Sequence, residues 1–191
     1  MRTSALTRKT KETDITVGLK LDGAGNADVA TGVGFFDHML TAFAFHGGFD
    51  LTVKAEGDLH VDAHHTVEDT GILLGEAFYE TLGDKAGIER FGFAYVPMDD
   101  ALARAAVDVS GRACFVCGEL PDATLGGYPA GLTADFFNAL CHNADITLHI
   151  EPLYGRDPHH LIEAVFKAAA RALRQAVAVT GTGVPSTKGL L

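Results

Sequence analysis

Residues 62–71 read "DAHHTVEDTG", which sets His64 beside His65 with Glu68 close behind. Residues 157–166, "DPHHLIEAVF", repeat the arrangement as His159, His160 and Glu163. Imidazole and carboxylate are the donors that hold borderline and hard divalent cations. His64 and Glu68 stand four apart, as do His159 and Glu163. On a helix that spacing places both side chains on one face, a turn apart, where they can hold one ion together. His65 and His160 are rotated by about 100° from their neighbours and cannot easily reach the same ion. Each copy therefore offers ligands in two directions, which favours two metals shared between copies over one metal per copy.

One imidazole and one carboxylate make an incomplete chelate, so further donors are expected upstream in each half. His38, in "GFFDHMLTAF", lies 26 residues before His64. The second copy is about two residues shorter in its strand-to-helix loop, and 24 residues before His159 stands Asp135, in "LTADFFNAL". The predicted metal ligands are His38, His64, His65, Glu68, Asp135, His159, His160 and Glu163. This set has no thiolate and suits Mn, Fe, Co or Zn, with octahedral demand tilting it towards Mn. Among the other histidines, His142 and His149 read as hydrogen-bonded structural residues and His60 as a loop residue. His46, beside two glycines, reads as a helix cap or a substrate contact. Cys114 and Cys117 form a C-x-x-C within "GRACFVCGEL". No second pair or properly spaced histidine completes a zinc site, and with Cys141 they read as buried, inert thiols.

Positioning these donors needs helices that start at the two histidine pairs and strands that hold the helices in place. "DITVGLKL" and "LTVKAEGDL" alternate as strands, residues 35–45 carry helical spacing closed by "HGGFD", and a long amphipathic helix runs from His64 through "KAG". The second half has strands in "FAYVPMDDALARAAVDVSGRACFVCGEL", a helix in "AGLTADFFNALCHNA", the strand "DITLHIEPLYG" and a second long helix from "PHHLIEAVF". A duplicated α+β unit of βαβα type, with sheets backed by helices on one face, is the expected fold. Residues 1–191 then form one domain, with repeats at about 10–92 and 93–180 and a tail at 181–191. A formal net charge of −10 argues against a nucleic-acid partner. No apolar run has the length of a membrane span, and the polar opening is not a secretory signal, so no membrane partner and a cytoplasmic location are expected.

At "TKETDITV", "GVGFFDHML", "HGGFDL", "DAHHTVEDTGILLG", "RFGFAYVPMDDAL", "DVSGR", "PHHLIEAVFKAAARALRQAV" and "PSTKG" the sequence resembles the imidazoleglycerol-phosphate dehydratases. The strings occur in one order from near residue 10 onwards. The resemblance implies a duplicated fold of the ribosomal protein S5 domain 2-like kind. It implies dehydration of D-erythro-imidazole glycerol phosphate to imidazole acetol phosphate, in histidine biosynthesis, with two Mn2+ per active site. The route implied runs through a di-manganese-bound imidazolate and a diazafulvene-like intermediate. A homo-oligomer of 24 subunits, with metal sites between subunits, is implied as well. Carried onto this chain, Glu12, His64, Glu68, His160 and Glu163 are catalytic. The substrate contacts are Glu12, His38, His46, Arg90, Arg112, Lys167, Ser186, Thr187 and Lys188. The chain departs from the family at Asp135, where a histidine ligand is common, which leaves open the metal preference at that position. Two rival readings share the donors: a dinuclear metallohydrolase, and a metal-storage or assembly protein. The latter has no use for a phosphate clamp such as Arg90, Arg112 and Lys188.

Overall fold

A computed structural model describes residues 2–189 and 191. The first half contains β1 (Thr3–Lys9), β2 (Thr13–Lys20), β3 (Ala27–Ala30), α1 (Gly34–Gly47), β4 (Asp50–Gly57) and α2 (His64–Leu82). The second contains β5 (Phe91–Met98), β6 (Ala101–Asp108), β7 (Cys114–Cys117), the two-stranded ribbon β8 (Thr124–Leu125) and β9 (Tyr128–Pro129), α3 (Leu132–Ala144), β10 (Thr147–Tyr154) and α4 (Pro158–Ala176). The sheet orders are β1-β2-β4-β3 and β5-β6-β10-β7. In each sheet the last pair alone is parallel, β3 with β4 and β7 with β10. The duplication expected from sequence therefore extends to strand order and strand direction.

The helices lie between the sheets. α2 packs on β1, β2 and β4, and α4 on β5, β6 and β10, while α2 meets α3 and α1 meets α4 across the middle. Period-two alternation in β2 turns Ile15, Val17 and Leu19 inward, and β6 turns in Ala101, Ala103, Ala105 and Val107. The small residues of β6, with Gly92 on β5, let α4 approach closely: a Cβ on Gly92 would lie 1.9 Å from the Ala172 carbonyl oxygen. Phe36, Phe136, Phe137 and Phe166 stack and tilt against one another in the shared core. Each buried ring of this kind is worth about 1.5–3 kcal/mol.

The two histidine-bearing helices begin in the same way. Asp62 accepts a hydrogen bond from the His64 backbone N–H, and Asp157 from that of His159, both at 2.8 Å. Such caps satisfy otherwise orphaned N–H groups, and Pro158 at the start of α4 loses nothing by lacking one. α2 is also tied to the first hairpin. Buried Asp69 pairs with Arg8 on β1 and accepts from the Thr13 hydroxyl, one turn beyond His65.

Three expectations are corrected. β1 lies ahead of residue 10, where the first repeat was placed, because its alternation carries few apolar residues and so gives a weak strand signal. α2 stops at Leu82 rather than running to Gly87, since Gly83 turns to φ 54°. The cysteines are free but not uniformly buried: Cys141 is buried, Cys117 half-buried and Cys114 exposed. The alternation of β7 turns one cysteine outward.

Candidate metal centre

His38 on α1 meets His159 and Glu163 on α4. Its Nε2 lies 3.4 Å from Glu163 Oε2, and His159 Nε2 lies 3.2 Å from the same oxygen. The three donor atoms fall within 4.8 Å of one another. Ligands at about 2.0–2.2 Å from a common ion are separated by such distances, so the donor set fits one divalent cation. Glu163 is buried, and its other oxygen accepts from Lys167 Nζ at 2.6 Å. Burial opposes ionisation of this carboxyl, but Lys167 and then His38 outweigh it and hold its pKa below the ordinary value.

The pseudo-symmetric cluster joins α2 to α3. His64 Nε2 lies 3.7 Å from Glu68 Oε2, and His64 Nδ1 lies 3.9 Å from Asp135 Oδ2. The two carboxylates address different nitrogens of one ring, so this set is looser than its counterpart. Its side chains are all nearly half exposed. The partners of His38 and Asp135 differ from expectation. The sequence placed each as the completing donor of its own half, whereas His38 completes the pair in the second half and Asp135 the pair in the first. Helix packing across the middle, α1 on α4 and α3 on α2, brings this exchange about.

His65 and His160 point elsewhere. His65 Nδ1 lies 3.0 Å from Asp58 and its Nε2 3.9 Å from Glu12. His160 Nδ1 lies 2.8 Å from Asp100, with Nε2 3.6 Å from Asp99. These carboxylates raise both imidazole pKa values, Asp58 chiefly for His65 and Asp100 chiefly for His160, and the bond from His160 holds Asp100 well below the usual carboxylate range. Asp58, Asp99 and Asp100 were not singled out from sequence. The string "MDD" inside "YVPMDDAL" was the one signal that could have marked the second pair.

A further cavity, ≈ 540 Å³, is lined by Arg90, Ser110, Arg112, Ser186, Thr187 and Lys188. Arg90 is fixed by Asp108 at 2.7 Å and by the Pro185 carbonyl oxygen at 2.9 Å, and Asp108 raises its pKa further. Arg112 is exposed, with its guanidinium 3.9 Å from Asp108 and 3.4 Å from the Ser110 carbonyl oxygen. Five of the basic and hydroxyl residues predicted to contact substrate, Arg90, Arg112, Ser186, Thr187 and Lys188, therefore line one cavity, although they come from loops nearly a hundred residues apart. His46 is half-buried near Lys167 and Arg171, and burial, then those cations, lower its pKa.

Two α+β units that exchange histidine and carboxylate side chains across a common helix layer define an internally duplicated protein with paired histidine–carboxylate clusters. The comparisons give the family. The profile described as "Imidazoleglycerol-phosphate dehydratase" matches residues 31–173. A curated protein of that description from Lacticaseibacillus casei (strain BL23) is 59% identical over 194 residues, covering 100% of both chains. One from Bacillus cereus (strain B4264) is 56% identical over the same coverage. Among solved structures, the Staphylococcus aureus subsp. aureus N315 enzyme superposes with TM-score 0.84 at 38% identity, covering 93% of this chain and 99% of that one. The Pyrococcus furiosus enzyme gives 0.83 at 41% identity, covering 97% and 100%. The chain belongs to the imidazoleglycerol-phosphate dehydratase family and is a hydro-lyase of histidine biosynthesis. Among the described residues, no helix is long and apolar enough to cross a membrane.

Proposed function

We propose that the chain dehydrates D-erythro-imidazole glycerol phosphate to imidazole acetol phosphate with two divalent cations, manganese foremost, at the two clusters. The observation that carries this reading is the crossed pairing of donors: His38 with His159 and Glu163, and Asp135 with His64 and Glu68. When bound, the cations would supply Lewis acidity and a template for the imidazole ring of the substrate. His65 and His160, whose Nδ1 atoms meet Asp58 and Asp100, would offer Nε2 to ions held mainly by neighbouring copies, the carboxylates fixing the Nδ1–H tautomer. The active particle on this reading is a homo-oligomer, of 24 subunits on the family resemblance, with metal sites shared between copies.

The remaining residues bind, orient and move protons. Arg90, Arg112, Ser186, Thr187 and Lys188 hold the phosphate, the arginine forks matching its oxygens and the lysine adding a point charge. Glu12, more than half exposed and 3.9 Å from His65, takes the proton from C2 after the carbinol hydroxyl has left from C3, and the resulting enol tautomerises to the ketone. Lys167 holds Glu163 ionised as a ligand. His46, whose pKa its surroundings lower, offers a hydrogen bond to the substrate. The free cysteines fit the reducing cytoplasm as the site of work.

The test is incubation of the purified chain with Mn2+ and imidazole glycerol phosphate, with the ketone followed directly. Ketone formation that stops on chelation is expected. Release of inorganic phosphate without ketone would instead make the protein a metallohydrolase.

A further inference from the structure

The two clusters are related by the internal repeat but are not chemically equal. In the α1/α4 cluster the one carboxylate, Glu163, is neutralised by Lys167 at 2.6 Å. The donors there are two imidazoles and a compensated carboxylate. In the α2/α3 cluster, His38 is replaced by Asp135, and the position matching Lys167 holds Ile72. Among the described residues neither Glu68 nor Asp135 has a lysine or arginine within ion-pair distance; each faces only His64. One cluster is thus formally neutral, and the other carries two uncompensated negative charges.

Resting on the metal-dependent reading above, we infer that these are two unequal sites. The α2/α3 cluster is the tighter one for a hard, oxygen-preferring divalent cation such as Mn2+, and the α1/α4 cluster fills second. Carboxylates suit Mn2+ and Mg2+, whereas imidazole suits Zn2+, Co2+ and Ni2+, and attraction for a dication grows with each uncompensated charge. The looser geometry of the α2/α3 cluster works the other way. Its side chains are nearly half exposed and turn at little cost, so the charge difference prevails. An imidazole from a neighbouring copy would add equally to each site and leave the ranking unchanged.

The test is Mn2+ titration of the full-length protein after dialysis against EDTA, with free ion read by electron paramagnetic resonance. Two binding classes are expected, separated by at least about tenfold. Glu68→Gln should weaken the tight class alone, and Glu163→Gln the weak class alone. Asp135→Asn should bring the tight class down towards the weak one, and Asp135→His should make it imidazole-rich like its counterpart. Two equal classes, or a tight class that survives Glu68→Gln and falls with Glu163→Gln, overturns the ranking while leaving the metal-dependent reading intact. Failure of the wild-type chain to bind Mn2+ at all overturns both.

Discussion

Asp58 and Asp100 serve His65 and His160 alike, yet they stand at unrelated places in the chain. Asp58 is 7 residues before His65, and Asp100 is 60 residues before His160. That is why the donors were legible in sequence and their supports were not. The histidine–glutamate pairs carry helical spacing that any reader can align, whereas each supporting carboxylate sits in a turn brought close only by the fold. A carboxylate on one ring nitrogen fixes the tautomer and leaves the other nitrogen free to donate, and losing such a support costs about 10–100-fold in metal affinity. Asp58→Ala and Asp100→Ala are therefore expected to lose Mn2+ affinity by about that factor while keeping wild-type circular dichroism. Unchanged Mn2+ content in both variants would mean that His65 and His160 are not donors.

The distance between elements is set by residues that do no chemistry. A Cβ on Gly71 would lie 2.5 Å from the Phe136 carbonyl oxygen, and one on Gly75 2.5 Å from that of Leu140. α2 and α3 can approach closely only because both positions are bare, and the approach brings Asp135 to His64. Gly75→Ala gains about 1 kcal/mol of helix propensity but must push the helices apart, which costs about 1–3 kcal/mol. The variant should have a lower urea midpoint and weaker Mn2+ binding, and a raised midpoint would show that the helices can separate freely. The repeat made the number and order of the helices legible, but this close approach could not be read, because glycine in a helical pattern carries no sign of what lies opposite. The crossed pairing of His38 and Asp135 was hidden for the same reason: spacing along the chain says nothing about which helix packs on which. β4 is anchored by Asp50, which accepts from the backbone N–H groups of Ala24 and Asn26 at 2.9 and 3.1 Å. Those bonds lower its pKa to about 2. A depressed carboxylate contributes stability above its unfolded pKa of about 3.9, and that contribution is lost as pH falls through the folded value. Asp50→Asn should therefore be less stable than wild type at neutral pH, and the gap in urea midpoint should close between about pH 4 and pH 2. A gap that stays constant down to pH 2 would contradict the assignment.

Over the whole molecule, the two sheets differ most on their outer faces. One row across the first sheet reads Thr7, Thr16, Lys54 and Ala30, polar and solvated as an exposed sheet face should be. A row across the second reads Phe93, Ala106, His149 and Val116, and Phe93 is 68% exposed with Phe91 and Tyr95 beside it at 54% and 59%. An aromatic face of this kind marks an interaction surface, and the proposed oligomer supplies its occupant, a second copy. Two separable forces would then hold the particle. One is burial of these rings, each worth about 1.5–3 kcal/mol. The other is metal bridging through His65 and His160, whose Nε2 atoms lie beside Glu12 and Asp99. Since ions that bind only the assembled form stabilise it by mass action, EDTA should reduce the mass seen by light scattering. Added Mn2+ should restore mass and dehydratase activity together. Phe93→Glu should reduce the mass even with Mn2+ present, because charge replaces an anchor that metal cannot substitute. A metal-free chain that keeps the full mass shows that rings alone hold the particle, and a fully active monomer removes the shared site altogether.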